Sequence, residues 1–127
     1  MPRQRRQFLP GTLHHVISRF VDREWRFTDE TDRRHYLDIL DDLVVQTDWT
    51  IAAYCLMSSH EHWAVFPGRY TCGEFFRRLH TRYAMIWKKR RDSVGPIFAG
   101  RPKNYETPPE HLLKLISYIH MNPVRAG

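Results

Sequence analysis

Apolar positions along the chain recur first at a period of two, then at three to four, and the alternation between these periods outlines the elements. Leu13 to Phe20, with Val16 and Ile17 inside it, predicts a first strand. Thr28-Asp29-Glu30 offers an N-cap and two acids suited to a helix start. Tyr36, Leu37, Leu40, Leu43 and Val44 then follow at helical spacing and predict a helix ending near Thr47. Trp49 to Met57 is apolar or aromatic on both alternating faces, which fits a central strand better than an edge. His60 to Phe66, closed by Pro67-Gly68, predicts the next strand and a hairpin with its predecessor across Ser58-Ser59.

Phe75, Phe76, Leu79, Tyr83, Ile86 and Trp87 mark one face of a second long helix. A loop from Ser93 to Pro102 leads to a short strand around Lys103 to Glu106. Thr107 with Glu110 three residues on reads as a capping box for a last helix, with Pro108 at its first position and Asn122-Pro123 as its end. The order strand, helix, strand, strand, helix, strand, helix implies an α+β sandwich of the ferredoxin-like kind. In it an antiparallel sheet is covered by helices, and the C-terminal helix carries Tyr118.

Length and composition narrow this to one folded unit. A chain of 127 residues fits a single domain spanning 1–127, and a hydrophobic share of 42% is too high for disorder. Lys and Arg outnumber Asp and Glu by 20 to 14, a balance that suits a polyanionic partner. Cys55 and Cys72 belong to no C-x-x-C pair, which argues against a disulfide framework and a thiolate zinc site. The basic N-terminus lacks the apolar stretch of a secretory signal, and the run Ile51 to Met57 is too short to span a bilayer. A reducing cytoplasm is the expected compartment, with no membrane partner.

His60 and His62 are the first candidates for chemistry. Residues two apart on a strand project to one face, so both imidazoles can converge on one divalent ion. With eight histidines in the chain, such a pair also arises by chance. In the last helix Leu112, Leu115, Ile116 and Ile119 form the apolar stripe, while His111, Lys114, Tyr118 and Asn122 fall on a different, mostly polar one. Spacing alone favours an amphipathic tyrosine at the rim of the core. A tyrosine nucleophile at that position would need an electropositive neighbourhood, because a phenol with a pKa of about 10 is seldom ionised at neutral pH. An ion held by two histidines helps by polarising a phosphodiester oxygen as tyrosine attacks phosphorus. Asn122, one turn beyond Tyr118, can offer an amide oxygen as a third ligand.

From about Phe8 to the last residue the chain resembles the single-tyrosine HUH transposases, most closely the REP-associated tyrosine transposases. The markers are His15-Val-Ile-Ser-Arg19, Tyr54-Cys-Leu-Met57, His60-Glu-His62, Gly100-Arg101 and the block from Tyr118 to Gly127. The resemblance implies a ferredoxin-like fold and Mg²⁺- or Mn²⁺-dependent cleavage of single-stranded DNA near imperfect hairpins. It assigns the nucleophile to Tyr118, the metal to His60, His62 and Asn122, and the products to a 5′-phosphotyrosine adduct and a free 3′-hydroxyl. The chain departs from the family pattern at two places: Glu61 stands where a hydrophobic residue is usual, and Ser58-Ser59 where Pro-Asn is usual. Glu61 should point away from the two histidines, and its burial would be costly unless paired. Many members continue past the tyrosine block, which leaves a C-terminal tail as an open extension of the single domain.

Single strands are held by cationic grooves with aromatic platforms. Candidates are Arg3, Arg5 and Arg6 on an N-terminal arm, Arg77, Arg78 and Arg82 on the second helix, Lys88 and Lys89 at its end, and Arg101. Taken singly each is better read as part of a solvated face, while together they imply a basic strip near the site. Phe98 and Tyr105 suit either base stacking or a place in the core. Two rivals remain: a non-catalytic single-stranded nucleic-acid-binding protein on the same fold, and a hydrolase using the two histidines to activate water. Both a homodimer and a monomer are compatible with the sequence.

Overall fold

Residues 12–21, 27, 29–57, 60–100 and 102–126 are described in a computed structural model, with side chains through Met121. Their order is β1 (Leu13–Arg19), α1 (Glu30–Thr47), β2 (Thr50–Leu56), β3 (His60–Phe66), α2 (Cys72–Arg91), β4 (Lys103–Thr107), a 3₁₀ turn (Pro109–His111) and α3 (Leu112–Ala126). The four strands form one antiparallel sheet in the order β2-β3-β1-β4, which is the ferredoxin-like arrangement expected from the sequence.

Strand alternation sorts the side chains into two layers. Val16 and Phe20, with Trp63 and Val65 of β3, face α1 and α2 and join Tyr36, Leu40, Leu43, Phe75, Phe76, Leu79 and Tyr83 in the larger core. Aromatic rings fill it. Trp49 stacks on Phe75 at 4.0 Å between centroids, and Tyr36 meets Tyr83 edge-on at 5.0 Å. Removing a fully buried ring such as Trp63 would cost about 3–5 kcal/mol. The opposite face carries Leu13, Ala53, Cys55 and Ala64, small enough for α3 to lie close through Leu115 and Ile119. The apolar stripe predicted for the last helix is therefore the one that docks.

α1 begins where its acids predict. The Asp29 carboxylate caps it by accepting from the Asp32 backbone N–H at 2.8 Å. Asp32, itself 1% exposed, receives Arg90 and Arg91, each at 2.6 Å, and so ties the start of α1 to the end of α2.

Two expectations are corrected. The strand after α1 is an edge strand, not a central one. Its apolar character on both faces arises because α3 covers it from one side while the larger core covers the other. The last helix neither starts nor stops as its signals suggest. Thr107 closes β4 and its hydroxyl donates to the Tyr105 carbonyl, so no capping box forms, and Pro108 leads into the 3₁₀ turn ahead of Leu112. α3 then runs through Asn122 and Pro123 to Ala126. A proline inside a helix forfeits one backbone hydrogen bond, and here the helix has already been anchored on the sheet by Leu115 and Ile119.

Candidate active site

The α3 face of the sheet gathers the residues singled out for chemistry. His60 and His62 lie on the same side of β3, their rings 5.0 Å apart at 76°. α3 crosses this face and brings Tyr118 to it. The phenol ring stands edge-on to His62 with 6.0 Å between centroids, and Tyr118 keeps 41% of its surface exposed. The hydroxyl-bearing ring is thus at the rim of the core and beside the histidine pair at once. An open groove lined by Leu113, Lys114, Ser117, Tyr118 and Met121 runs along the outer side of α3 at this point.

A third imidazole, assigned no role from the sequence, belongs to the same cluster. His15 of β1 is hydrogen-bonded through Nε2 to His62 Nδ1 at 3.2 Å. Its ring stacks on that of His62 at 5.5 Å and meets Tyr118 edge-on at 6.0 Å. Tyr105, across the ladder from His15 on β4, lies 6.3 Å from the same ring and is half exposed. In the sequence His15 stood out only as the start of a marker block and as a histidine of the right alternation on a different strand. Which strand pairs with which, and in what register, is decided by the sheet.

Burial and like charge keep these rings neutral. Desolvation lowers the pKa of His62 to about 4, helped by His60, His15 and Arg19. Desolvation also lowers His60, with Arg19 acting in the same direction, and lowers His15. Neutral imidazoles offer ring lone pairs to a cation without proton competition near neutral pH. A centroid spacing of 5.0 Å is within the span of two imidazoles sharing one ion through bonds of about 2.1 Å. Among the described residues no group of three His, Cys, Asp or Glu side chains converges on one ion position, so the pair would need another donor. α3 carries Asn122 one turn past Tyr118, on a stretch whose side chains lie outside the described residues.

Glu61 points to the other face, as strand alternation requires, and its burial is compensated. At 1% exposure it accepts from the Tyr36 hydroxyl at 2.6 Å and from His80 Nε2 at 3.0 Å. Its second oxygen, Oε2, has no hydrogen-bond partner among the described residues. Ser18 Oγ lies 3.5 Å from His80 Nε2, and Phe98 stacks flat on the His80 ring at 3.7 Å. Phe98 is thus committed to this inner cluster, whereas Tyr105 borders the histidines.

The cations named from the sequence separate. Arg77 and Arg78 pair with Glu74, at 2.7 and 2.9 Å, and Arg82 pairs with Asp42 at 2.9 Å. These three, with Lys88 and Lys89 in its last turn, lie on α2, which covers the sheet face opposite the histidines. Arg3, Arg5, Arg6 and Arg101 lie outside the described residues. Arg19, which lies across the ladder from His60 and acts on His60 and His62, and Lys114, which lines the groove with Tyr118, are cations near this cluster. Both cysteines are buried and form no disulfide, and no helix among the described residues is long and apolar enough to cross a membrane.

No family model matches the chain, and no curated protein does. Solved structures do share its fold. One is a REP-associated tyrosine transposase bound to a REP hairpin, at a TM-score of 0.78 and 16% identity over 100% of this chain and 75% of that one. Another is a candidate transposase from Deinococcus radiodurans R1, at a TM-score of 0.62 and 16% identity over 94% of this chain and 96% of that one.

Proposed function

We propose that this protein is a single-tyrosine HUH enzyme of the REP-associated tyrosine transposase type, a metal-dependent endonuclease and strand transferase acting on single-stranded DNA near hairpins. The observation that carries the reading is the meeting of an exposed tyrosine on α3 with the histidine pair of β3, 6.0 Å from ring to ring. The likeness to a hairpin-bound transposase over the whole chain supports it.

Tyr118 is the nucleophile. Its phenolic oxygen forms a bond to phosphorus as the bond from phosphorus to the 3′ oxygen breaks. The phenolic proton leaves to solvent, and the departing oxygen takes up a proton to become a 3′-hydroxyl. The 5′-phosphotyrosine ester retains the energy of the broken linkage, so a second 3′-hydroxyl can reverse the step and rejoin strands. His60 and His62, with Asn122 as the third donor, would hold Mg²⁺ or Mn²⁺, which supplies charge neutralisation at the phosphodiester oxygens. Arg19 beside the histidines and Lys114 in the groove with the tyrosine add positive charge, and Tyr105 offers a ring for a base to stack on. Arg3, Arg5, Arg6 and Arg101 would extend this grip. Arg77, Arg78, Arg82, Lys88 and Lys89 would meet only a DNA segment that wraps to the α2 side. The approach of Tyr118 to His62 within one chain supports a site assembled in cis.

A DNA hairpin with a single-stranded flank, incubated with the protein and Mn²⁺ or Mg²⁺, should give a covalent protein–DNA adduct that survives denaturing electrophoresis. Tyr118→Phe should abolish the adduct and leave hairpin affinity within about twofold, since it removes one oxygen from a half-exposed ring. Cleavage that persists in Tyr118→Phe would overturn the nucleophile assignment. Hairpin binding by the wild type with no adduct across a metal series would replace the enzyme with a binding protein on the same fold.

A further inference from the structure

We infer that His15 is a positioning residue for the histidine pair: its hydrogen bond to His62 Nδ1 sets the tautomer that leaves His62 Nε2 free to ligate an ion. This rests on the metal reading proposed above.

Each neutral imidazole has one N–H and one lone pair, so a hydrogen bond between two neutral rings needs opposite roles at the two facing nitrogens. The facing atoms are His15 Nε2 and His62 Nδ1, 3.2 Å apart. Nδ1 of His62 is engaged by His15, so a cation can approach that ring only through Nε2. Ligation through Nε2 places the proton on Nδ1, which then donates to His15 Nε2. His15 must in turn carry its own proton on Nδ1. The set of tautomers is closed by the geometry of that one hydrogen bond.

His15 acts behind His62 and does not join it as a ligand. Its own ring nitrogen nearest the site is the one spent on His62, and no three-residue His, Cys, Asp or Glu set converges among the described residues. The stacked arrangement, 28° between planes at 5.5 Å, also limits rotation of the His62 ring toward Tyr118. Such outer partners of metal-bound histidines raise ligand basicity and hold ring orientation.

The test uses full-length protein, with Mn²⁺ titrated by calorimetry and Zn²⁺ as a diamagnetic probe for NMR. His15→Leu, which removes the acceptor, should weaken Mn²⁺ binding about 10–100-fold. His15→Gln, whose side-chain carbonyl can accept from His62 Nδ1–H, should recover most of that loss. Long-range ¹H–¹⁵N spectra of the Zn²⁺-loaded wild type should show the proton on Nδ1 of both His15 and His62. A purely structural role for His15 predicts neither the rescue nor the tautomer. Equal Mn²⁺ affinity in wild type and in a folded His15→Leu, or a proton on His62 Nε2 in the loaded protein, would overturn the inference while leaving the metal reading intact. Wild type that takes up neither Mn²⁺ nor Zn²⁺ would remove the metal reading, and this role with it.

Discussion

Glu61 sits between the two histidines in sequence and on the opposite side of the strand in space, so the integrity of its inner cluster bears on where His60 and His62 stand. His80→Phe removes the nitrogen that meets Glu61 Oε1 at 3.0 Å while retaining a ring to stack on Phe98. Glu61, 1% exposed, would then keep only the Tyr36 hydroxyl, because Oε2 already lacks a partner among the described residues. Losing one of its two hydrogen bonds leaves the buried carboxyl under-satisfied, at a cost of about 1–3 kcal/mol. Loss of the aromatic stack would add about 1 kcal/mol, which the phenyl ring avoids. His80→Phe should therefore lower stability by about 1–3 kcal/mol. In a Glu61→Leu background no carboxylate is left to orphan, and the same substitution should cost less than about 1 kcal/mol. Urea denaturation followed by circular dichroism on the four proteins of this cycle gives the coupling directly. An equal cost of His80→Phe in both backgrounds would refute the pairing.

His62 titrates at about 4 in the fold against 6.5 free, so between those values the unfolded chain takes up a proton that the folded protein refuses. Stability should be fully present above about pH 6.5 and fall by up to about 3 kcal/mol as pH drops toward 4, read from urea midpoints, and His62→Gln should flatten that slope. Asp32→Ala removes the carboxylate that joins Arg90 and Arg91 to the start of α1 and should destabilise by about 1–3 kcal/mol, because Arg90 keeps Asp29 at 3.6 Å and Arg91 keeps the Trp87 ring, read from urea midpoints. Gly68→Ala would drive a methyl into the backbone carbonyl oxygens of Thr47 and Asp48, and should cost at least about 1–3 kcal/mol, seen as a lower thermal midpoint.

The extent of the elements was largely written in local pattern. The β3 limits at His60 and Phe66, the α1 start after Asp29 and the buried face of α2 follow from side-chain period and capping chemistry, which act over a few residues. Local signals failed where a longer-range contact outweighed them. Thr107 and Glu110 satisfy the capping pattern, but β1 draws Thr107 into the ladder opposite Leu13, and the hydroxyl is used within β4. The apolar character of Thr50–Leu56 reports cover from both sides and says nothing of the number of neighbouring strands.

By itself the sequence determined that His60 and His62 share a strand face, that Glu61 opposes them, and that Tyr118 leaves the apolar stripe of its helix. These are consequences of periods of 2 and 3.6, and no partner element is needed to state them. Only tertiary structure decided that Tyr118 stands beside His62, that His15 backs that ring, and that Glu61 finds His80 and Tyr36 inside the core. It also decided that the arginines of α2 lie across the sheet from the site. The reason is that such meetings depend on strand order, register and the face each helix covers, which are set by the packing of both layers together and not by any one segment.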